Sequence, residues 1–287
     1  MDLSLRTLRY FVAVAEVRHF GRAAERLMIS QPGLSQQIKR FERQVGCKLL
    51  ERSRAGVRPT AAGRVLLEEA RVLLERSDAA VARTRRAASP TVLRIACVAG
   101  TPHQIKSRLV KEGDSSDPCL DINLIRIDWS EPFTHLRNAS VDAAVMHLPH
   151  AEPGVTSQLL HVEPRVAVLP AEHRLSDRSC ISIGDIAAEP VLDSNFNRDF
   201  WLVNPRPDGS VPVTVQPAPA SAEQLMDQVA VGRGIAITAK TVSEQYRRPG
   251  VVAIPIIDID EAELALIWYS EHAPTAMAGL AVALAVD

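Results

Sequence analysis

The sequence predicts an α+β protein of several domains: a winged helix-turn-helix, a long linker helix, and then two α/β sets of strands and helices. Three observations predict this fold class. Helical periodicity dominates the first 84 residues, with one interruption near residue 55. Buried-strand runs alternate with helical stretches after residue 90. The charge also divides there, because residues 1–89 carry 18 Lys and Arg against 9 Asp and Glu, whereas the remainder carries 15 against 25.

The first three elements are predicted to be helices. Apolar residues repeat at helical spacing from residue 5 to residue 15, and residues 23–27 form a short second helix. Ser30 stands at an N-cap position, and Pro32 follows where the first turn of a helix tolerates it. Gly46 ends the third helix.

The third helix is predicted to bury one face and to show a polar, basic face to solvent. Short amides and hydroxyls near its N-terminus suit base edges, and basic side chains farther along suit phosphates. We expect base contacts from Gln31, Ser35 and Gln36, with Pro32 touching thymine methyl groups. We expect phosphate contacts from Arg22, Lys39, Arg40 and Arg43. The alternative is a surface helix that is basic without binding DNA.

A wing and a long helix follow. Short strands at residues 49–52 and 57–59 flank a turn, which places Arg52, Arg54 and Arg58 for the DNA backbone or minor groove. Thr60 then caps a helix of roughly 25 residues, about 38 Å long. Its apolar pairs recur every seven residues, as in a helix that pairs with a second copy. The predicted dimer seam consists of Leu66, Ala70, Leu73, Ser77, Ala80 and Thr84. Packing on its own domain is the alternative.

These residues resemble the N-terminal domain of the LysR-type transcriptional regulators. The resemblance is carried by Arg-Ala-Ala-Glu-Arg-Leu at 22–27, Ser-Gln-Pro-Gly-Leu-Ser-Gln-Gln-Ile at 30–38, Glu-Arg at 51–52 and Thr-Ala-Ala-Gly at 60–63. Gly21 departs from the family's usual Ser or Thr, which weakens the expected cap of the second helix. Phe41 and Leu50 exchange the family's common Leu and Phe, which we interpret as a compensating change of size within one core.

The resemblance also implies partners. Two paired linker helices would place two heads on one face of DNA, so the target is expected to be double-stranded promoter DNA with an interrupted inverted repeat. Members of the family are usually tetramers that bend DNA, and RNA polymerase is a further expected partner.

The sequence does not favour redox, metal or enzyme chemistry. Cys47, Cys97, Cys119 and Cys180 are scattered, which favours reduced structural thiols over a redox pair. His147, His150 and Glu152 leave a strand through a proline-containing loop, and we expect no metal there. We expect neither a cofactor nor enzymatic activity. Without a secretory signal or an apolar run of 18 residues, the chain is expected in the cytoplasm and outside the membrane.

The C-terminal region alternates strands and helices in two sets. The first has strands at 92–98, 121–127 and 141–146 with helices at 102–111 and 132–138, which favours a parallel sheet. The second has strands at 165–169, 234–238 and 264–268 with a helix at 221–231. Local strings at 140–145, 169–175 and 231–237 resemble the effector domain of the same regulator family. That resemblance implies two α/β lobes built like a periplasmic solute-binding protein.

Ligands bind such sheets beyond the carboxyl ends of the strands. Three loops in these positions are predicted to face a cleft and to form a small polar pocket with two aromatic sides, which favours an anionic metabolite. The candidate effector-binding residues are Thr101, His103, Trp129, Ser130, Ser194, Asn195 and Phe196.

These predictions divide the chain into a winged helix-turn-helix at 1–59, a linker and dimerisation helix with a hinge at 60–89, and an effector domain at 90–287 whose second lobe spans about 163–258. The predicted function is a sequence-specific DNA-binding transcriptional regulator that senses a small molecule. The alternatives are a ligand-independent or architectural DNA-binding protein and a solute-binding module with a fused head.

Overall fold

The fold divides at Thr84 into an N-terminal unit, Met1–Thr84, and a C-terminal unit, Arg85–Asp287. The computed structural model describes residues 3–53, 56–88, 92–117, 119–129 and 131–285. The N-terminal unit contains the helices α1 (Leu5–Val17), α2 (Phe20–Arg26), α3 (Gln31–Val45) and α4 (Ala61–Ala87), and the strands β1 (Leu50–Ser53) and β2 (Gly56–Pro59).

Local capping fixes the boundaries of the first helices. The Ser30 hydroxyl accepts a hydrogen bond from the Gly33 N–H at 3.3 Å, and Gly46 ends α3 with a φ of 85°. The predicted cap of α2 at Gly21 was wrong, because α2 already begins at Phe20, two residues earlier than a cap at Gly21 would place it. The N-cap is His19, whose Nδ1 accepts the Arg22 N–H at 3.2 Å.

The wing and the long helix are joined by a close contact. Strands β1 and β2 pair antiparallel, with Leu50 opposite Pro59 and Ser53 opposite Gly56. The Thr60 hydroxyl accepts the Gly63 N–H at 2.9 Å and donates to the Lys48 carbonyl at 2.8 Å. Gly63 lies so near Leu49 that a Cβ would collide with the Leu49 carbonyl oxygen. Only glycine therefore fits at the end of the Thr-Ala-Ala-Gly string.

One apolar core holds the N-terminal unit together. Phe11 of α1 and Phe41 of α3 place their rings 6.2 Å apart in this core. Leu50 belongs to the same core, so the two residues interpreted as a size exchange do share one environment. Ala70 of α4 is also fully buried in it.

The first lobe of the C-terminal unit is a five-stranded sheet. Its strands are β3 (Val92–Val98), β4 (Asp121–Ile127), β5 (Ala143–His147), β6 (Val155–Glu163) and β12 (Ala262–Tyr269), in the order β4-β3-β5-β12-β6. Helices α5 (His103–Ser116), α6 (Pro132–Arg137) and α10 (Thr275–Leu284) cover it. The expected parallel pairing is confirmed for β3 with β4 and β5.

The assignment of the strand at 264–268 to the second set was wrong, because these residues belong to β12, which pairs antiparallel with both β5 and β6 of the first lobe. Strand β6 carries the chain out to the second lobe and β12 brings it back, so the two must run in opposite directions. In the second lobe, β7 (Arg165–Pro170) is central and antiparallel to β10 (Ala236–Ala239) and β11 (Val251–Pro255).

Shorter elements complete the second lobe and its two apolar layers. These are a 3₁₀ turn (Ile183–Ile186), the paired strands β8 (Val191–Leu192) and β9 (Thr214–Val215), and the helices α7 (Arg198–Leu202), α8 (Ala222–Ala230) and α9 (Lys240–Gln245). A second 3₁₀ turn, Ser270–His272, precedes α10 in the first lobe. No helix among the described residues is long and apolar enough to cross a membrane.

Candidate functional site

The exposed face of α3 is the candidate DNA-binding surface. Pro32, Gln36, Lys39 and Arg43 recur three or four residues apart, so they share one side of the helix, and all four are exposed. Gln31, Arg40 and Arg22 of α2 are exposed as well, whereas Ser35 is half-buried. The structure thus brings the amide and the basic side chains onto one surface of α3, and Ser30 caps the N-terminus of this helix.

A buried carboxylate joins this helix to the wing. Glu42 lies on the inner side of α3, where Oε1 accepts the N–H groups of Leu49 at 3.0 Å and Leu50 at 3.2 Å. Its Oε2 lies 2.8 Å from the Lys48 ammonium. Burial raises the pKa of Glu42, but the hydrogen bonds from Lys48, Leu50 and Leu49 outweigh it and hold the pKa below its ordinary value. The carboxylate therefore fixes the start of β1 relative to α3.

The predicted wing arginines are only partly covered by the described residues. Arg58 lies exposed on β2, opposite Glu51 in the β1–β2 register. Arg52 lies on β1, and Arg54 lies outside the described residues. The wing is held to α1 by the Val57 N–H, which donates to the Arg18 carbonyl at 2.9 Å.

Helix α4 packs one side on its own domain and exposes another. Two ion pairs link it to α1: Arg71 of α4 lies 2.9 Å from Glu16 of α1, and Asp78 of α4 lies 2.7 Å from Arg9 of α1. Within the predicted seam, Ala70 is fully buried in the N-terminal core, so its side chain has no surface to offer a partner. Leu66 and Ser77 are half-buried, whereas Leu73, Ala80 and Thr84 are exposed.

The sequence reasoning missed two of the most exposed apolar side chains on α4. Val65 and Val72 are 64% and 45% exposed, and Val81 and Leu73 are 50% and 39% exposed. Val65 and Val72 lie one heptad apart, a signal that the sequence contained. We name Val65, Val72 and Leu73, which lie within about 100° of one another round the helix, the α4 apolar stripe.

A cavity of about 100 Å³ lies in the C-terminal unit at the carboxyl ends of strands from both lobes. Its walls include Val98 and Met146 from the first lobe and Leu192, Ala236 and Thr238 from the second. Trp129, Ser194, Asn195 and Phe196, four of the predicted effector-binding residues, line it. Ser130 lies outside the described residues.

Two predicted effector-binding residues do not line the cavity. Thr101 is fully buried, and its hydroxyl donates to the Val98 carbonyl at 2.8 Å in a local turn. His103 is exposed at the start of α5, with Nδ1 3.1 Å from the Ser107 hydroxyl. The loop before α5 is instead held against α9, because the Gln245 side chain donates to the carbonyls of Gly100 at 3.1 Å and Thr101 at 3.2 Å.

The predicted loop after β8 forms one wall through an internal hydrogen-bond network. Asp193 Oδ1 accepts from the Ser194 N–H and from Arg198 Nε, both at 2.7 Å, and Oδ2 accepts from the Gln216 amide. The Ser194 hydroxyl donates to the Phe196 carbonyl at 2.6 Å. These bonds order the loop and position the Phe196 ring.

A buried His–Glu pair lies at the opposite wall. His147 of β5 lines the cavity, packs edge-on against Trp201 with 5.4 Å between ring centres, and lies 3.2 Å from Glu163 through Nε2. Glu163 also accepts from the N–H and the hydroxyl of Thr241, each at 2.7 Å. Burial raises the pKa of Glu163, but the hydrogen bonds from His147 and Thr241 prevail and lower it. His147 and Trp201 were not predicted as cavity residues.

The remaining histidines and the cysteines do not form a combined site in the described part of the chain. His150 lies 2.8 Å from the Ser157 hydroxyl, and Glu152 pairs with Arg137 at 2.9 Å. Among the described residues, no group of three metal-ligating side chains comes together. All four cysteines are free, and burial raises the pKa of Cys97 to about 11.

Two family models match separate parts of the chain. A family model described as the bacterial regulatory helix-turn-helix protein, lysR family, matches residues 5–64, and the LysR substrate binding domain matches residues 86–287. The uncharacterized HTH-type transcriptional regulator YnfL of Escherichia coli (strain K12) is 30% identical over 95% of this chain and 94% of its own. The HTH-type transcriptional regulator AlsR of Bacillus subtilis (strain 168) is 34% identical over 66% of this chain but only 64% of AlsR.

Solved structures share the fold. CbnR, a LysR family transcriptional regulator, is 22% identical and aligns over 98% of both chains with a TM-score of 0.62. Full-length CbnR complexed with its target DNA aligns over the same shares with a TM-score of 0.54 and 23% identity. At these identities the likeness shows the arrangement of elements, and the chemistry of each site depends on the residues described above.

Proposed function

This chain belongs to the LysR family of bacterial DNA-binding transcriptional regulators, and from that premise we propose how its own residues carry out regulation. Two copies, paired through α4, place two α3 helices on an interrupted inverted repeat in promoter DNA. A small molecule in the C-terminal cavity then changes the affinity or spacing of these heads. The proposal assigns the protein to the cytoplasm, where promoter DNA lies, and gives it no enzymatic step.

The observation that carries the DNA-binding part is the face of α3. Gln36 follows Pro32 by one turn, and Lys39 and Arg43 follow in the next turns of the same side. A helix inserted by its N-terminal end into the major groove brings its first turns to base edges and its last turns to phosphates. We therefore assign base reading to Gln31, Ser35 and Gln36, and phosphate contacts to the basic residues.

The surface charge supports the same assignment. Basic residues outnumber acidic ones two to one in residues 1–89, so this part of the chain is attracted to phosphate at long range. The acidic remainder repels DNA, which favours contact through the N-terminal unit alone.

The α4 apolar stripe supports the pairing of two copies. Three large apolar side chains on one exposed side of α4 are costly in water, and a second copy of the same helix would cover them. Val72→Glu should therefore weaken self-association, whereas Val211→Glu makes the same change at an exposed valine outside α4 and serves as the matched control. Sedimentation equilibrium that shows the same dissociation constant for both variants would contradict pairing through this stripe.

The cavity supports the sensing part. Its walls come from both lobes, so a bound molecule contacts both, and it shifts the protein only through its difference in affinity between two arrangements. The corollary is reciprocal: a molecule that changes operator affinity is itself bound with altered affinity in the presence of operator DNA.

The experiment that tests the proposed function is selection of genomic DNA. Fragments from the source organism are retained by the purified protein near physiological salt and then sequenced. The proposal predicts a few sharp sites that share an interrupted inverted repeat. Diffuse, salt-sensitive retention without a shared motif, both alone and with extracts of small metabolites, would refute sequence-specific regulation and leave architectural binding.

A further inference from the structure

The charges around the cavity are balanced within the chain itself. Among the described residues that line the cavity, only Asp193 and His147 are ionisable, and none is Lys or Arg. Asp193 is paired with Arg198 at 2.7 Å, and His147 lies 3.2 Å from Glu163. A carboxylate or phosphate entering this space would find no basic lining residue that is free to pair with it.

Arg165, a buried cation outside the lining, is also occupied. Arg165 donates to the carbonyls of Asp260 and Phe200, each at 2.6 Å, and stacks over the Phe200 ring at 4.1 Å. Phe200 packs in turn against Trp201, whose other neighbour is the His147 ring. Burial lowers the pKa of Arg165 to about 10, and the guanidinium stays behind two rings and does not line the cavity.

The lining also offers no free acidic partner to a cationic ligand. Both oxygens of Asp193 already accept hydrogen bonds, from the Ser194 N–H, Arg198 and Gln216. A ligand ammonium would have to displace Arg198 or share a carboxylate whose charge Arg198 already balances. Because a buried charge without a partner is strongly disfavoured, the lining selects an uncharged ligand.

The shape of the cavity and its free polar groups further restrict the class of ligand. Three large rings, Trp129, Phe196 and Trp201, line a cavity of about 100 Å³. An apolar cavity of roughly 150 Å³ holds one benzene molecule, so a ligand of this smaller cavity has an apolar body no larger than about one ring. The Trp129 N–H is already bonded to the Ala99 carbonyl at 2.9 Å. Within the described chain, the Thr238 hydroxyl makes no hydrogen bond, so it is available to a ligand.

We infer that this cavity binds a small uncharged molecule, with an apolar body of about one ring or a short aliphatic chain and one neutral polar group directed to Thr238. The inference rests on the proposed function, in which this cavity is the effector site. It replaces the anionic ligand that the sequence pattern favoured, because the lining residues provide aromatic surface instead of basic side chains.

Matched pairs of probes that differ only in charge test this inference. Benzamide and butyramide are compared with benzoate and butyrate at pH 7, by the thermal midpoint of the full-length protein and by titration of its tryptophan fluorescence. Trp129 and Trp201 line the cavity and report occupancy directly. At least one amide is expected to raise the midpoint and to bind at least about tenfold more tightly than its carboxylate, a factor of ten being about 1.4 kcal/mol.

Two variants locate the binding. Thr238→Val removes the hydroxyl at nearly constant volume and should weaken amide binding about threefold to tenfold, whereas Thr134→Val, the same change on exposed α6, should leave it unchanged. Ala220→Phe fills the cavity wall from an exposed position without touching the core, and it should abolish amide binding.

The uncharged-ligand inference and the proposed function can be refuted separately. Carboxylates that bind as tightly as the amides, or no binding by any of the four probes, would overturn the uncharged-ligand inference. Amide binding that Ala220→Phe leaves unchanged would also overturn it, because the site would lie elsewhere. Specific DNA binding is measured separately, alone and with extracts of small metabolites, so its absence in both would refute the proposed function and leave the ligand result standing.

Discussion

Replacing Glu42 tests whether one buried carboxylate holds the recognition helix α3 to the wing. In Glu42→Ala, the buried N–H groups of Leu49 and Leu50 lose their acceptor. Each orphaned buried donor costs about 1–3 kcal/mol, so with two of them the free energy of unfolding of the N-terminal unit should fall by about 2–6 kcal/mol. The ion pair with Lys48 adds little, because the ammonium is mostly exposed.

Glu42→Gln is the matched control. Its amide oxygen still accepts from the two backbone N–H groups, and only the charge is lost, so the expected decrease is about 1 kcal/mol. The two variants together separate the hydrogen bonds from the charge.

The assay can isolate the N-terminal unit, because all three tryptophans, Trp129, Trp201 and Trp268, belong to the C-terminal unit. Urea unfolding is followed by far-UV circular dichroism, which reports the helices of both units, and by tryptophan fluorescence, which reports the C-terminal unit. Glu42→Ala should shift the dichroism transition and leave the fluorescence midpoint in place. Equal midpoints for wild type and Glu42→Ala in both signals would refute the role of this carboxylate.

The same residue predicts a pH dependence. The pKa of Glu42 is lowered in the fold, so its stabilisation is fully present above the unfolded pKa and is lost as the pH falls through the folded pKa. Wild type should therefore lose more stability than Glu42→Gln on acidification below the ordinary range of a glutamate. Parallel pH profiles of the dichroism midpoint for the two proteins would contradict this assignment.

Three further predictions concern single contacts. Ser30→Ala removes the N-cap of α3 and should cost about 1 kcal/mol of N-terminal stability, with Ser30→Thr as a control that retains the cap; equal urea midpoints for the two would contradict it. Gly63→Ala drives a Cβ into the Leu49 carbonyl and should destabilise the N-terminal unit more than Gly46→Ala. At Gly46 a Cβ meets no atom within 4 Å, and only the φ of 85° is strained. The reverse order of dichroism midpoints would contradict the close contact at Gly63. Glu163→Gln should remove an acid-dependent loss of C-terminal stability. Because the pKa of Glu163 is lowered in the fold, its carboxylate stabilises the fold above the unfolded pKa, and this stabilisation is lost as the pH falls through the folded pKa. Fluorescence midpoints that follow pH identically in wild type and Glu163→Gln would refute this prediction.

Elements whose boundaries depend on local chemistry could be predicted from the sequence. Ser30 and Gly46 cap α3 through contacts within a few residues, and the strand predicted at 92–98 is β3, Val92–Val98. Strand β6 was not predicted, because it lies at the edge of its sheet and exposes Leu159 and Val162, so its apolar residues do not alternate.

Some site residues could be predicted from local sequence, whereas others depend on contacts made only in the folded protein. The α3 face follows from helical spacing alone, whereas the cavity depends on which way each side chain turns after a strand ends. Thr101 turns inward because the Val98 carbonyl accepts its hydroxyl, and His147 turns toward the cavity because Glu163 holds it across a sequence separation of 16 residues. Ala70 illustrates the remaining difficulty, since a seven-residue repeat fits both a dimer seam and packing on the helix's own domain.

The most direct test of the account compares Gln36→Ala and Arg43→Ala by fluorescence anisotropy on the selected operator, on single-base variants of it and on random DNA. Gln36→Ala is predicted to relax discrimination at one base position by roughly 1–3 kcal/mol and to leave random DNA nearly unaffected. Arg43→Ala is predicted to weaken all sequences alike and to reduce the salt slope by about one. Equal losses on the operator and on random DNA for Gln36→Ala would contradict the claim that the N-terminal turns of α3 read the bases.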